Sequence, residues 1–252
     1  MAKKQRKRHS KRGYPVAILV IFETRHALLW QVFSEAIKPL EPVKFVGKRE
    51  DLKALYAFHE KLVDALRPAL KEGVRSVILV SPPKTPHSIE FLTHVQSHHL
   101  WLVKEKSPNA VSFGTMEGSV HDSEDVAMFV QSAEFQAKVN DITGEEADQI
   151  LAALEKRLQK PGAGKEAVLF SLQDIENAVY TRDPSEMRQT EYIILTDQFL
   201  ASTSEKNRLQ RLLQIAKNKN VKTRIIKAET VAGERLSQFG GLVWFVVAGQ
   251  AS

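Results

Sequence analysis

The sequence predicts an α/β protein of two domains, and three observations lead there. Apolar runs of strand length, among them "VAILVIF", "SVILVS" and "LVWFVV", alternate with segments whose apolar residues recur every three or four positions. The chain has 252 residues, 43% of them hydrophobic, which is material for one large core or two ordinary ones. Between two periodic segments stands "QKPGAGKE" (159–166), whose glycines and proline mark a linker. The expected organisation is a basic tail over 1–13, an α/β domain over 14–158, the linker 159–166 and a second α/β domain over 167–252.

The elements follow in order. "YPVAILVIFE" and "HALLWQVFS" read as strands joined tightly through "TR". "AIKPLEPVKFV" is broken by Pro39 and Pro42 and suits an edge. From Asp51 to Leu70 the period changes. Leu52, Leu55, Phe58, Leu62, Ala65 and Leu66 then share one face of a long helix, which Gly73 ends. "RSVILVS" is a buried strand. "PPKTP" opens a helix with Ile89, Leu92 and Val95 inward, "LWLVKEK" is a strand, and "AVSFGT" pairs with it. Residues 123–158 are helical, with Thr143 and Glu146 at capping-box spacing. Past the linker, strands "AVLFS", "EYIILTD", "VKTRIIKA" and "LVWFVV" alternate with helices, as a layered domain requires. In "VAGERLSQFGG" residues Val231, Leu236 and Phe239 face the sheet, and Gly240 or Gly241 supplies the left-handed turn into the last strand.

Composition excludes several classes. No run approaches the roughly 18–20 apolar residues of a membrane helix. No signal peptide is expected, because the basic start leads into "GYP" and a strand carrying Glu23 and Arg25. The absence of cysteine removes disulfides and thiolate chemistry and suits a reducing compartment, so the expectation is a soluble, cytoplasmic protein. Net charge is +6, yet residues 3–12 alone hold seven bases: Lys3, Lys4, Arg6, Lys7, Arg8, Lys11 and Arg12. The remainder has 29 bases against 30 acids. A tail of that composition has no apolar surface to offset its ordering entropy and serves as a handle for phosphates, or simply as a solubility or localisation tail.

Few motifs carry chemistry. "PGAGKE" lacks the second glycine spacing and the hydroxyl of a phosphate-binding loop, and Glu166 after Lys165 would repel phosphate. His94 and His98 lie one helical turn apart, but no third ligand stands beside them, so no metal is expected. His59 and Glu60 are adjacent and point apart on a helix. Neither a catalytic residue nor a cofactor is expected. "VKFVGKRED" (43–51) presents Lys44, Lys48 and Arg49 before the long helix. It is either an RNA contact, or, through Glu50 and Asp51, an ordinary helix start.

The series of motifs resembles one family. "ETVAGERLSQFGGLVWFVV" is similar to the end of the Pelota and class 1 release-factor family, "VLFSLQDIENAV" to the start of its third domain, and "EYIILTDQFL" to a strand of that domain. "SVILVSPPKTPHSIEFLTHV" and "NAVSFGTMEGSVHDSEDVAMFVQSAEFQAKV" resemble its second domain, and the likeness runs in order from about Val16 to Val247. The family's first domain has no counterpart but the basic tail. Where release factors carry Gly-Gly-Gln this sequence reads "VGKRED", without glutamine, and the loop glutamine of the Vms1-like branch is missing too. The resemblance therefore implies the non-hydrolytic, Pelota side. That means a non-enzymatic ribosome-associated factor for rescue, subunit splitting or dormancy at the A site. Its partners would be the ribosome with its rRNA and tRNA, and a translational GTPase or the recycling ABC ATPase bound through the third domain. It also implies that this third domain, residues 167–252 here, is a small three-layer αβα unit similar to kink-turn-binding ribosomal proteins. A peptidyl-tRNA hydrolase with a substitute for the glutamine, and a stand-alone structured-RNA-binding protein, remain the rival readings. The linker reading has a direct test. Brief limited proteolysis with a protease of broad specificity is expected to cut first near Lys160 or Lys165, because an exposed Gly/Pro segment has few contacts to protect it; mass spectrometry showing a resistant linker and preferential cutting inside 166–250 contradicts it.

Overall fold

Pro15–Phe22 forms strand β1 and His26–Phe33 forms β2, paired antiparallel through a turn in which the Glu23 N–H donates to the His26 carbonyl at 2.9 Å. The computed structural model describes residues 13–71, 73–103, 110–120, 122–159, 168–181, 190–219 and 221–247. The basic tail to Arg12 and the "KPGAGKE" stretch expected as a linker lie outside them.

Two short strands, β3 (Ile37–Pro39) and β4 (Val43–Lys44), both pair with β2, so the proline-broken segment is an edge as expected. Helix α1 (Leu52–Lys71) follows, and Gly73, at φ 105°, donates its N–H to the Leu70 carbonyl to end it. Strand β5 (Ser76–Ser81) lies parallel to β1. Helix α2 (His87–His98), the single turn α3 (Leu100–Val103), β6 (Ser112–Glu117), α4 (Ser123–Gln131) and α5 (Ala133–Leu158) come next. The first sheet has the order β3-β2-β1-β5-β6, with β4 also on β2. Central β1 is buried from Ala17 to Phe22, which explains why it reads as an unbroken apolar run rather than an alternating one.

Four expectations change here. "LWLV" is helical, not a strand. A short apolar run fits either state, and β6 occupies the place beside β5. The inward face of α2 is Ser88, Phe91, His94 and Val95, while Ile89 is exposed, because the Ser88 N–H is fixed on the Ser81 hydroxyl and Phe91 packs against Phe22. Leu52, at the start of α1, is exposed. Thr143 opens no helix: it sits inside α5, and Glu146 pairs with Arg224. The cap in this region is Asp122, which accepts from the Glu124 and Asp125 N–H groups.

The chain divides into two compact units. One gathers β1 to β6, α1 to Ala69, α2 to α4 and the start of α5 to Val139, apart from Ser112. The other takes Leu70–Arg75, Ser112 and everything from Asn140 onward. The sequence places all of 14–158 in the first domain, whereas residues 140–158 belong with the second sheet. The reason is packing: Ala147, Ile150, Leu151 and Leu154 of α5 are buried against it.

The second unit contains β7 (Val168–Leu169), α6 (Leu172–Thr181), β8 (Thr190–Thr196), α7 (Asp197–Ser202), α8 (Lys206–Asn218), β9 (Lys222–Ile226), α9 (Val231–Gln238) and β10 (Leu242–Val247). Its sheet has the order β7-β10-β8-β9; β10 is antiparallel to β7 and β8, and β9 is parallel to β8. Side chains alternate across it. Ile193, Leu195 and Trp244 meet Ile175 and Val179 of α6 and Leu209, Leu212 and Ala216 of α8. Ile194, Val243 and Phe245 meet α5 and Ala232 and Leu236 of α9. The unit is thus a three-layer αβα sandwich, as the resemblance implies, with α5 contributing to one of its layers.

The closing segment behaves as read, except that Val231 is 72% exposed and Ala232 takes its inward place. Thr230 caps α9 by accepting the Gly233 N–H, Phe239 stacks on Phe170, and Gly240 and Gly241 both adopt positive φ. Gly233 has a requirement of its own. A Cβ there would stand 2.0 Å from the Lys227 carbonyl oxygen, a backbone atom that cannot yield. Gly233→Ala is therefore expected to cost several kcal/mol, in the range of about 2–4, and to lower the melting temperature of the second unit; a wild-type thermal profile would contradict the close approach.

Candidate functional site

Two places in the first unit bring functional side chains together, and a third lies in the second unit. The loop before α1 is built by its backbone. The Phe45 N–H donates to the Arg25 carbonyl, and Asp51 caps the helix by accepting from the Lys53 and Ala54 N–H groups at 2.9 and 3.3 Å. Gly47 takes φ 127°, and a Cβ there would come within 2.7 Å of the Ala54 Cβ. Lys44, on β4, and Lys48 are exposed, and so are the neighbouring apolar side chains Val46 (74%) and Leu52 (78%).

Arg49 is different from the two lysines. Its guanidinium lies over Phe45 and Phe58, 4.8 and 5.5 Å from the ring centroids, and Nη2 donates to the Glu23 carbonyl at 2.9 Å. Burial lowers its pKa, against the pull of Glu90. The sequence groups Arg49 with the lysines as an RNA contact, but its charged end is spent on holding the loop to the fold. The seven tail cations, Lys3 to Arg12, lie outside the described residues. Sequence reasoning also left the helix-start reading open, and Asp51 fulfils it.

The second place is a cluster of imidazoles on one carboxylate. Glu60 of α1 faces the C-terminal end of α2, where His94 Nε2 and His99 Nε2 lie 2.9 and 2.8 Å from the same oxygen, Oε1. Both rings are buried, with 6% and 9% of their side-chain surface exposed, while Glu60 retains 37%. His98 is exposed and stays off the carboxylate; its ring packs 4.9 Å from that of His94 and 5.1 Å from Tyr56. His59 points inward, its ring 5.0 Å from His94, as the divergence of adjacent helix positions requires. Burial, then the neighbouring His94, pushes the His59 imidazole down to about 4, so it is neutral near pH 7. Burial also lowers His94. Burial works to raise the Glu60 carboxyl, but hydrogen bonds from His99 and His94 outweigh it. The sequence paired His94 with His98 and missed Glu60 and His99. Only the third dimension joins α1 to a position 39 residues on, although the doubled histidine at 98–99 was in view.

In the second unit, Arg224 of β9 pairs with Glu146 of α5, and Lys222 sits with its amine 5.7 Å from the Tyr192 ring centroid. Burial, followed by Arg75 and Arg224 nearby, brings the Lys222 amine down to about 7. Burial likewise lowers Arg75 to about 10 and raises Tyr192. Trp244 Nε1–H donates to buried Glu191 at 3.1 Å. Among the described residues no helix is long and apolar enough to cross a membrane.

Comparison with known proteins adds the next observation. No protein-family model matches the sequence, and no curated protein sequence matches it. Solved structures do. Archaeal Pelota, in a model of ribosome-bound Pelota and ABCE1, matches 91% of this chain and 60% of its own, with a TM-score of 0.54 and 13% identity. Over the matched span the fold is that of Pelota. Dom34 of S. cerevisiae, a translation termination-like factor involved in RNA quality control pathways and interacting with Hbs1, matches 94% of this chain and 64% of its own. Its TM-score is 0.51 and its identity 15%. The chain thus spans less than two thirds of either protein, and the resemblance read from the motifs holds at the level of the Pelota fold.

Lys222 generates a prediction with a definite sign. Its amine loses its proton near pH 7 in the folded chain but keeps it to about 10.5 when unfolded. The unfolded state then binds more protons, and the second unit gains stability as pH rises from about 7 toward 10. Hydrogen exchange in β8 and β9 is expected to slow between pH 7.5 and 9.5, after correction for intrinsic rates, and Lys222→Met is expected to flatten that gain.

Proposed function

We propose that the chain is a Pelota-like translation factor that binds the ribosome and does not itself hydrolyse peptidyl-tRNA. The observation that carries the reading is the fold shared over 91% of the chain with a Pelota seen on the ribosome. The loop before α1 supports the second half. Its exposed Val46 and Lys48, with Lys44 of β4 and Leu52 of α1 beside them, form a mixed surface suited to resting on RNA or protein. It has no glutamine to position water, and its arginine is held down over Phe45 and Phe58. Without a donor at the developing charge, hydrolysis loses its main stabilisation.

In this reading the tail from Lys3 to Arg12 binds rRNA. Some 13 residues reach about 40 Å when extended, enough to follow an RNA groove. The αβα unit is the docking element for a GTPase, as Dom34 interacts with Hbs1, or for an ABC ATPase of the ABCE1 type. The roles open to such a factor are rescue of stalled ribosomes, subunit splitting or dormancy, each in the cytoplasm.

Co-sedimentation with ribosomes across a salt series tests the proposal. If about five to seven tail cations meet phosphates, log affinity against log salt is expected to fall with a slope of roughly −3.5 to −6. Deleting residues 2–12 is expected to flatten the slope and weaken binding by orders of magnitude at low salt. Peptide release from loaded ribosomes is expected to stay at background. Release abolished by a point change in this chain would replace the proposal with a hydrolase, and equal affinity for naked structured RNA would replace it with an RNA-binding protein.

A further inference from the structure

We propose that Glu60, His94 and His99 form a binding site for one first-row divalent metal ion, with Zn²⁺ the ion their donors suit best. The three donor atoms lie within 4.8 Å of one another. Two imidazole nitrogens and one carboxylate oxygen are a donor set that zinc takes with a water in the fourth place. Mg²⁺ and Ca²⁺ prefer all-oxygen shells.

Preorganisation separates this cluster from histidines that happen to be near an acid. Both ligand rings are nine-tenths buried, and their neighbours fix their planes: Tyr56 and His59 stand 4.9 and 5.0 Å from the His94 ring, and Trp101 stands 6.4 Å from that of His99. Both Nε2 atoms already aim at one point, so little rotamer entropy remains to be lost on binding. Glu60 is the adjustable member. A tetrahedral ion with ligands at about 2.0–2.1 Å holds its donors roughly 3.3–3.4 Å apart. The carboxylate therefore has to draw back about half an ångström from its 2.8 and 2.9 Å contacts, which a side chain 37% exposed can do, while the two ring nitrogens, within 4.8 Å of one another, close to the same spacing by small ring rotations. That same exposure opens one side of the site to water.

The hydrogen-bonded arrangement has its own logic. To share one oxygen, both rings present Nε2–H to the carboxylate, a hydrogen-bonded triad joining α1 to the end of α2. A metal ion takes those two nitrogens as lone-pair donors, and the two imidazoles, deprotonated at Nε2, carry their protons on Nδ1. The ion then joins α1 to the residue that closes α2, His99, by bonds stronger than the hydrogen bonds it replaces. The inference concerns the first unit alone and stands apart from any role on the ribosome.

The test is calorimetric titration of the full chain, stripped with chelator, with Zn²⁺, and with Mg²⁺ as the control. One saturating Zn²⁺ per chain is expected at this site and no response to Mg²⁺, with Co²⁺ in its place giving the visible bands of a four-coordinate nitrogen–oxygen site. Changing a partner outside the ligand shell typically costs 10–100-fold in affinity. On that scale Glu60→Gln is expected to weaken Zn²⁺ by at least about tenfold, and His94→Asn or His99→Asn by about a hundredfold or more. Zn²⁺ is expected to raise the melting temperature of the wild-type chain and not that of His99→Asn. Glu60→Gln alters a partly exposed side chain and keeps the test interpretable if a histidine variant fails to fold. Absence of saturable binding, or Zn²⁺ affinity unchanged in Glu60→Gln, overturns the proposal. So does binding that survives His99→Asn and vanishes when residues 2–12, with His9, are deleted.

Discussion

In the first sheet, β1 lies between antiparallel β2 and parallel β5, and every side chain from Ala17 to Phe22 is withdrawn from water. In the second, β10 and β8 lie side by side at the centre, and Ile193 to Leu195 and Leu242 to Val246 are buried on both faces. Double burial of central strands is the constraint from which the rest follows. A strand with two apolar faces needs two covers, each of which must be an amphipathic helix or another layer. At about 1.5–3 kcal/mol for each large side chain taken out of water, these strands supply the drive that offsets the ordering of the chain. The polar devices then fix details: the Asp122, Asp51 and Thr230 caps set where covering helices start, and the Trp244–Glu191 bond ties β10 to β8.

What a sequence discloses of such a fold depends on whether the signal is local. Most strand runs, the turn at 23–26, the break at Gly73 and, from β7 to β10, every element except α7 are legible, because period and glycine placement act within a few residues; α7 is six residues long with no buried side chain and offers no period to read. Periodicity says that a helix has an apolar face but not what covers it. For that reason residues 140–158 were read with the first domain, although Ile150 and Leu154 pack on the second sheet. The inward face of α2 was misread for a related reason. Ile89 and Leu92 are the more hydrophobic choice, yet the bond from the Ser88 N–H to the Ser81 hydroxyl and the fit of Phe91 against Phe22 decide the rotation. "LWLV" shows the limit from another side, since four apolar residues carry no period.

The functional residues divide in the same way. Charge is legible without a structure, and the asymmetry between the tail and a nearly neutral body can be read by counting. Arg49 shows where counting stops. It has the same formal charge as Lys44 and Lys48, but two aromatic rings and a carbonyl take its guanidinium out of contention as a free surface charge. The Glu60 cluster is the converse case. Its members are separated by 34 and 39 residues and meet only because α1 and α2 lie in the same unit.

The outer strand β9 has a consequence for how the protein behaves in a crowded solution. Among the described residues it ends the second sheet, and an unpaired strand edge is a template on which another chain can extend the sheet. Here that edge carries Lys222 and Arg224, two cations set into the layer beside Glu146 rather than splayed into solvent. An incoming strand would have to bury against these polar side chains, of which Arg224 is already engaged by Glu146. On the far side β7 is two residues long and gives little to add to. The sheet is thus guarded at both ends against edge-to-edge aggregation, by inward charge on one side and brevity on the other.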